Sequence, residues 1–340
     1  MKTATALASP TDLANDLKRA STRPAPVDLT PKSTETVNCY LCGSSERTEL
    51  LLAEDDLTGR SGRFRFVTCA QCGLAYQNPR LTLESVAEFY DDNYIAHRKT
   101  RDWGLLTPLF DRAMRKLDLA KDRLVARYCP LTQVTAVLDV GCGSGSFLHR
   151  LRYHYGVQAT GLDFKDLSSS PFLQGAEFHH GLFYDADFRG ARFDVVTMWH
   201  FLEHDYDPLR SLRTARDLLR PGGRLIVEVP RLDSRTFSWF GDRWPGLQAP
   251  QHTVLFDRAH LASMVHAAGL EVVDYLPYGA FPAYFYLFTG VAFHLLRGRG
   301  LNLRASMIPY FIGQLLLSPL LLFETRLNLA MQTIVCRRGE

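Results

Sequence analysis

Short apolar strands alternate with helical segments from residue 136 onward, and this alternation constrains the fold more than any other feature of the chain. The predicted elements are strands at 136–140, 158–162, 193–199 and 223–229 and helices at 147–155 and 209–219. Alternation of this kind is typical of a parallel sheet covered by helices on both faces. With 340 residues, of which 46% are hydrophobic, the chain can bury such a core without disulfides. The sequence therefore predicts an α/β fold.

A glycine-rich turn follows the first of these strands, in the segment VLDVGCGSGSF at 137–147. Gly141, Gly143 and Gly145 allow tight backbone conformations and close approach of a ligand. The N–H groups at the start of the next helix add hydrogen-bond donors. Asp163 ends the following strand, 18 residues after Gly145, where its carboxylate can accept both hydroxyls of a ribose. The segment predicts an adenosine-binding site, and a bare turn without a ligand is the alternative.

The spacing of this turn narrows the class of ligand. Ser146 occupies the position of the third glycine in the dinucleotide pattern G-x-G-x-x-G, which disfavours NAD. The pattern G-x-x-x-x-G-K-[ST] does not occur in the sequence, which disfavours a nucleoside triphosphatase.

Several segments together resemble the class I S-adenosylmethionine-dependent methyltransferases. The matching segments are VLDVGCGSGSFL (first motif), GLD at 161–163 (second motif), FDVVTMWHFLEHDYDP at 193–208 (fourth strand), LLRPGGRLIVEVP at 218–230 (the helix, turn and strand that follow) and QHTVLFDRAHLASMVHAAGLEVV at 251–273 (a downstream segment of one subgroup). The resemblance covers about residues 81–276 and the last strand. It implies a Rossmann-like seven-stranded sheet with an antiparallel last strand, S-adenosylmethionine as cofactor, and methyl transfer as the activity.

The resemblance also implies a set of cofactor-binding residues. Gly141 and Gly143 would pass close to the methionine moiety, and Asp163 would hold the ribose. Many members place an acidic residue after the third strand, against the adenine amine, whereas this chain has Leu182 and Phe183 there. The adenine contact is therefore expected to be apolar and through the backbone. The predicted residues are Asp139, Gly141, Cys142, Gly143, Gly145, Asp163, Phe164, Leu182, Phe183 and Trp199.

Transfer to a hydroxyl or carbon acceptor also requires a base, and histidine titrates in the appropriate range. The candidates are His200, His204 and His252, and Glu203 is expected to orient one of them. The alternative for Glu203 and His204 is a structural role in ordering the loop after the fourth strand. The alternative for His252 is a structural hydrogen bond.

Four of the seven cysteines form two C-x-x-C pairs, Cys39 with Cys42 and Cys69 with Cys72, each followed by a glycine. Four thiolates bind zinc tetrahedrally, and a closed site of this kind is structural. A redox role is the alternative. The segments CYLCG and CAQCGLAYQNPR resemble the zinc ribbon that precedes some bacterial methyltransferase domains, including sugar C-methyltransferases.

Two long stretches near the C-terminus contain no Asp, Glu, Lys or Arg. They run over 275–296 and 305–323, with the arginine-rich segment RGRGLNLR between them. Because predicted strands of one sheet flank the two stretches, the chain must enter and leave a membrane on the same side. If both stretches crossed the membrane, the arginine-rich segment would lie on the far side, so a hairpin at the lipid interface is favoured. A helical cap buried on the domain or at a dimer interface is the alternative.

The resulting organisation has five parts: a disordered tail (1–36), a zinc-ribbon-like module (37–80), a helical lead-in (81–130), the methyltransferase domain (131–280 and 329–340) and an apolar insertion (281–328). The net charge of +3 is too small to indicate a nucleic-acid partner. The N-terminus lacks an apolar signal-peptide core, which predicts a cytoplasmic protein. The apolar insertion predicts peripheral contact with the inner face of the membrane. The predicted activity is O-methylation of a small hydrophobic, lipid or lipid-linked acceptor. A sugar C-methyltransferase and a non-catalytic cofactor-binding subunit of a membrane complex are the alternatives.

Overall fold

The computed structural model describes residues 33–90, 104–321 and 323–339. Most of the predicted tail at 1–36 and part of the predicted helical lead-in, 91–103, lie outside these ranges. The strands are β1 (Thr34–Glu35), β2 (Arg47–Ala53), β3 (Phe64–Cys69), β4 (Ala75–Gln77), β5 (Arg80–Leu81), β6 (Ala136–Val140), β7 (Gln158–Asp163), β8 (Glu177–His180), β9 (Phe193–Trp199), β10 (Leu219–Pro230), β11 (Val254–Leu255), β12 (Leu270–Leu276) and β13 (Met331–Arg338). The helices are α1 (Leu83–Ala87), α2 (Thr107–Tyr128), α3 (Ser146–Tyr155), α4 (Pro208–Leu218), α5 (Arg235–Phe240), α6 (Arg258–Ala267), α7 (Ala283–Leu296), α8 (Leu303–Leu321) and α9 (Glu324–Leu327).

A seven-stranded sheet forms the centre of the molecule, in the order β12-β13-β10-β9-β6-β7-β8. Strand β13 is antiparallel to both of its neighbours, and the pairs from β10 to β8 are parallel. The predicted α/β fold with an antiparallel last strand is therefore confirmed. The middle strands β6 and β9 are apolar except for Asp139, Asp194 and Thr197, and they are buried along almost their whole length, as strands of a sheet covered on both faces are.

Strand β10 is longer than the predicted 223–229 and begins at Leu219. The segment Pro221-Gly222-Gly223 is typical of a turn, which is why the sequence predicts a break before residue 223. The structure instead includes this segment in β10, although Gly222 has a φ angle of +79°, and a register shift between Leu219 and Arg224 accommodates the irregularity.

A second, four-stranded sheet carries the cysteine pairs and has the order β11-β4-β3-β2. Strands β2, β3 and β4 come from the predicted zinc-ribbon-like module. Strand β11 comes from the segment after β10, and it pairs with β4 through Val254 with Tyr76 and Leu255 with Ala75. The module therefore shares a sheet with the segment that carries His252. Thr34 and Glu35, within the predicted tail, also join the fold, because β1 pairs with β5.

The apolar insertion forms two long helices, α7 and α8, and the short helix α9, between β12 and β13. Helix α7 packs inward, since Ala283 and Tyr286 join a core cluster with Trp244 and Phe64. Helix α8 leaves a row of apolar side chains exposed. Within residues 33–90, 104–321 and 323–339, no helix combines the length and the apolarity that crossing a bilayer would require.

Candidate active site

The turn after β6 is shaped by its glycines. Gly141 and Gly145 have φ angles of +72° and +80°, a region that side chains rarely adopt. A Cβ atom added to Gly141 would lie 3.0 Å from the ring of Phe201, and one added to Gly145 would collide with Leu173. Helix α3 begins immediately after Gly145. Because the turn carries no side chain at its glycines, its backbone can approach the end of β7, where Asp163 lies.

Asp163 is buried at the tip of β7, and two backbone groups orient its carboxylate. Gly143 donates its N–H to Oδ2 at 2.9 Å, and Lys165 donates its N–H to Oδ1 at 3.1 Å. Burial raises the pKa of Asp163, and these two hydrogen bonds oppose that effect. The carboxylate is therefore fixed against the glycine turn, with lone pairs left for a ligand.

A cavity of about 340 Å³ opens beside this turn. Eight of the ten predicted cofactor residues line it: Gly141, Cys142, Gly143, Asp163, Phe164, Leu182, Phe183 and Trp199. The other two face elsewhere. Asp139 accepts a 2.6 Å hydrogen bond from Thr197 in the core, and burial raises its pKa to about 6. Gly145 supports the start of α3.

Two further features of this cavity match the chemistry of an adenosyl amino acid. The indole Nε1 of Trp199 is buried and has no hydrogen-bond partner in the part of the chain that the structure describes. The ammonium of Lys121, on α2, lies 5.3 Å from the same ring. Together they could bind a carboxylate.

The residues after β8 agree with the predicted apolar adenine contact. Phe183 is buried, while Asp185 pairs with Arg210 at 2.9 Å outside the cavity.

His200 lies between two buried carboxylates. Its Nδ1 is 3.2 Å from Glu203 Oε1, and its Nε2 is 3.2 Å from Glu228 Oε1. Burial alone would lower the pKa of His200, but the hydrogen bonds and charges of the two glutamates raise it to about 9. Both ring nitrogens donate to a carboxylate, so His200 offers no free lone pair to act as a base in this arrangement.

Glu228 is a site residue that the sequence analysis missed. It is fully buried on β10, and it also accepts the N–H groups of Ala280 at 2.6 Å and Phe281 at 3.0 Å. A Cβ atom at Gly279 would lie 2.5 Å from its carboxyl carbon. Glu228 therefore connects the loop before α7 to His200. The signal was present, because Glu228 is the one charged residue of the strand segment LIVEV.

His204 and His252 both line the cavity, and their ring centroids are 4.4 Å apart. His204 Nδ1 lies 2.9 Å from the hydroxyl of Tyr90, another residue that the sequence analysis missed, and 3.1 Å from the carbonyl of Gln251. His252 Nδ1 lies 2.8 Å from the carbonyl of Gly246. Burial lowers the pKa of both histidines. Glu203 lies behind them and is buried. The four predicted catalytic residues thus form one cluster.

The four cysteines of the C-x-x-C pairs converge on one point. Cys39 Sγ lies 3.5 Å from Cys72 Sγ, Cys42 Sγ lies 3.5 Å from Cys69 Sγ, and all four sulfurs are within 4.8 Å of one another. All four are free thiols. Although burial raises the pKa of Cys69, the backbone N–H groups of Cys72 and Gln71 lower it, to about 6. The donor set and spacing fit a tetrahedral zinc ion.

Residues 110–275 match a family model described as a methyltransferase domain. The chain is similar to the ubiquinone biosynthesis O-methyltransferase of Cereibacter sphaeroides (strain ATCC 17025 / ATH 2.4.3), with 27% identity over 190 residues, 50% of this chain and 76% of the relative. It is also similar to the enzyme of the same name from Idiomarina loihiensis, with 31% identity over 151 residues, 40% of this chain and 61% of the relative.

Among solved structures, the chain is similar to 1,6-didemethyltoxoflavin-N1-methyltransferase from Burkholderia thailandensis. The TM-score is 0.47 and the identity is 18%, and the match covers 80% of this chain and 97% of the other. The sheet order, the glycine turn and the matched family model define an α/β methyltransferase domain of class I. The protein is an S-adenosylmethionine-dependent methyltransferase.

Proposed function

We propose that this enzyme methylates an oxygen atom of a small hydrophobic, lipid or lipid-linked acceptor. The observation that carries the proposal is the composition of the cavity wall. Phe281, Phe285, Tyr286 and Phe293, on α7 and the loop before it, line the same cavity as Asp163. An apolar insertion therefore forms one wall of the site that contains the cofactor loop. The similarity to two O-methyltransferases of ubiquinone biosynthesis supports both the atom and the acceptor class.

The cofactor would be held by residues on both sides of the glycine turn. Asp163 would accept the ribose hydroxyls, and Trp199 Nε1 with Lys121 would bind the carboxylate of the methionine moiety. Leu182 and Phe183 would pack against the adenine. S-adenosylmethionine supplies a sulfonium methyl whose carbon–sulfur bond breaks, leaving the electron pair on sulfur, as the acceptor oxygen bonds to the methyl carbon. The protein contributes chiefly alignment of the two reactants and exclusion of water.

The acceptor hydroxyl must also lose its proton, and His204 and His252 are the proposed place for that step, with Glu203 and His200 as the groups that position them. His204 and His252 line the cavity that the acceptor would enter. We further propose that the four-cysteine cluster holds a structural zinc ion, because its sulfurs have the spacing that tetrahedral coordination needs.

The outer face of α8 supports contact with a lipid surface. Ile308, Ile312, Leu315 and Leu316 are more than half exposed, and their spacing places them on one side of the helix. Exposed arginines, Arg297, Arg299 and Arg304, lie in or beside the connection between α7 and α8. An apolar helix face beside basic residues is typical of a helix that lies in the headgroup region of an anionic bilayer.

The function is tested by following a labelled methyl group. The purified protein is incubated with methyl-labelled S-adenosylmethionine and a whole-cell extract of the organism that encodes it, and the products are partitioned. We expect label in the organic phase, on an oxygen atom as identified by NMR. Label on carbon of a water-soluble sugar would instead support the sugar C-methyltransferase. Bound cofactor without any transfer would support the non-catalytic subunit.

Membrane contact is tested with the double variant L315E/L316E. Because burying each leucine contributes about 1.5–3 kcal/mol, we expect the variant to bind vesicles containing phosphatidylglycerol at least about tenfold more weakly than the wild type. Flotation in a density gradient measures this. V134E is the matched control, since Val134 is exposed on the main domain. Equal flotation of the wild type and both variants would contradict membrane contact through α8.

A further inference from the structure

We propose that Glu203, His204 and His252 form a second metal site, which takes a divalent first-row transition ion such as Zn²⁺. The inference deepens the proposed function, on which it depends for its chemical role, because the site would act on the acceptor oxygen. One carboxylate oxygen of Glu203 and one ring nitrogen of each histidine lie within 4.8 Å of one another. Two imidazoles and a carboxylate are a ligand set that zinc and iron(II) enzymes use.

Glu203 provides the strongest evidence. Its side chain is buried, and while Oε1 accepts a hydrogen bond from His200, Oε2 has no partner within the described residues. A buried carboxylate oxygen without a partner is costly. A metal ion that is bound by this oxygen would remove that cost. The unpartnered atom therefore points to a cation among these side chains.

Hydrogen bonds leave both histidines with a lone pair on the same ring atom. A carbonyl oxygen can only accept, so His252 Nδ1 carries the proton that it donates to Gly246. His204 Nδ1 lies 3.1 Å from the carbonyl of Gln251 and 2.9 Å from the hydroxyl of Tyr90. The carbonyl requires the proton on Nδ1, and the hydroxyl can accept from the same N–H. The lone pair of each ring is then on Nε2. A backbone carbonyl on the other nitrogen is the usual second-shell partner of a metal-binding histidine. Both Nε2 atoms are thus prepared as ligands.

The backbone of this cluster is tightly held. Thr253 donates its N–H to the carbonyl of Glu203 at 2.8 Å and its hydroxyl to the carbonyl of Asp205 at 2.7 Å. The residue next to His252 is therefore bonded directly to the loop that carries Glu203 and His204. Ligand atoms about 2.1 Å from a tetrahedral ion lie about 3.4 Å apart, so side-chain rotations that bring these atoms closer than their present separations, all within 4.8 Å, would complete the site.

The chemistry of the three ligands also selects the kind of ion. The two imidazoles favour a transition ion over Mg²⁺, which prefers oxygen ligands.

Three protein ligands leave coordination positions open toward the cavity, where an acceptor hydroxyl could bind. Coordination lowers the pKa of a bound hydroxyl, so its proton would leave to solvent as the acceptor binds, before water is excluded from the site. The acceptor oxygen would then bond to the methyl carbon, as the carbon–sulfur bond breaks. His204 and His252 would act as ligands, which explains why neither is exposed as a free base.

The proposal is tested by measuring the number of zinc ions bound per chain. Wild-type protein is equilibrated with Zn²⁺, freed of excess, and analysed for zinc and protein by mass spectrometry. We expect two zinc ions per chain, one at the cysteines and one at the proposed site. E203Q and H252N should each lose one zinc and keep the other. E271Q, at an exposed glutamate on β12, is the matched control and should keep both.

Calorimetry with S-adenosylhomocysteine shows whether each variant retains a folded cofactor site. One zinc per chain in the wild type would overturn the proposal, and so would two zinc ions that survive in E203Q. If E203Q fails to bind S-adenosylhomocysteine, H252N provides the decisive zinc count. Transfer of label to lipid by an enzyme with one zinc would overturn the metal site and leave the proposed function intact, so the two failures are distinguishable.

Discussion

Replacing Asp163 with alanine is expected to weaken the binding of S-adenosylhomocysteine by about 100-fold or more. The carboxylate is fixed by Gly143 and Lys165, and it would accept two hydroxyl groups of the ribose. Each hydrogen bond to a charged acceptor contributes about 1.5–3 kcal/mol, and 1.4 kcal/mol corresponds to a tenfold change in affinity. Isothermal titration calorimetry measures the affinity, and methyl transfer should fall in parallel.

Asp166→Ala is the matched control for this prediction. Asp166 lies three residues further along the same loop, where its carboxylate accepts the N–H of Ser168. It does not line the cavity, so its removal should change the affinity by less than about twofold. Asp163→Asn, which keeps the shape of the side chain, separates loss of charge from loss of packing. An affinity of Asp163→Ala within a few-fold of the wild type would contradict the assigned role.

The second large effect is expected at the cysteine cluster. Cys39→Ser would remove a buried ligand of the proposed zinc ion, and loss of a structural metal belongs to the most destabilising class of substitution. We expect the free energy of unfolding to fall by at least about 3 kcal/mol, which lowers the melting temperature by about 4 °C or more for a chain of 340 residues. A chelator should lower the melting temperature of the wild type in the same direction. Differential scanning calorimetry measures both.

The effect of Cys39→Ser should extend into the active site. Strand β4, between the cysteine pairs and the main domain, pairs with β11, and Gln77 donates its N–H to Thr253 at 2.8 Å. Weakening this sheet would therefore loosen His252. Cys129→Ser is the control, because Cys129 lies outside the cluster on the C-terminal end of α2. Equal melting temperatures for the wild type and Cys39→Ser, with and without chelator, would contradict a structural metal.

The central sheet was predictable from the sequence because its signals are local. Strands β6 and β9 have the predicted limits, since a run of buried apolar residues followed by a turn identifies a parallel strand. The glycines of the turn and Asp163 were predictable for the same reason. Their positions follow from backbone geometry within one strand–turn–helix unit, and eight of the ten predicted residues line the cavity.

The partners of residues that act through long-range contacts were not predictable. Glu228 stands out in the sequence as the one charged residue of its strand segment, but its partners Ala280 and Phe281 lie 52 and 53 residues later in the chain. Tyr90 reaches His204 across 114 residues. The pairing of β4 with β11 was likewise not predictable, because β11 has only two residues and shows no strand pattern in the sequence. Such contacts depend on tertiary packing rather than on local propensity.

A crystal structure of the protein with S-adenosylhomocysteine is the decisive measurement of the cofactor site. We expect the ribose hydroxyls within hydrogen-bond distance of Asp163, the amino-acid end beside Trp199, and the sulfur facing His204 and His252. A ligand bound elsewhere, or a ribose that makes no contact with Asp163, would contradict this prediction.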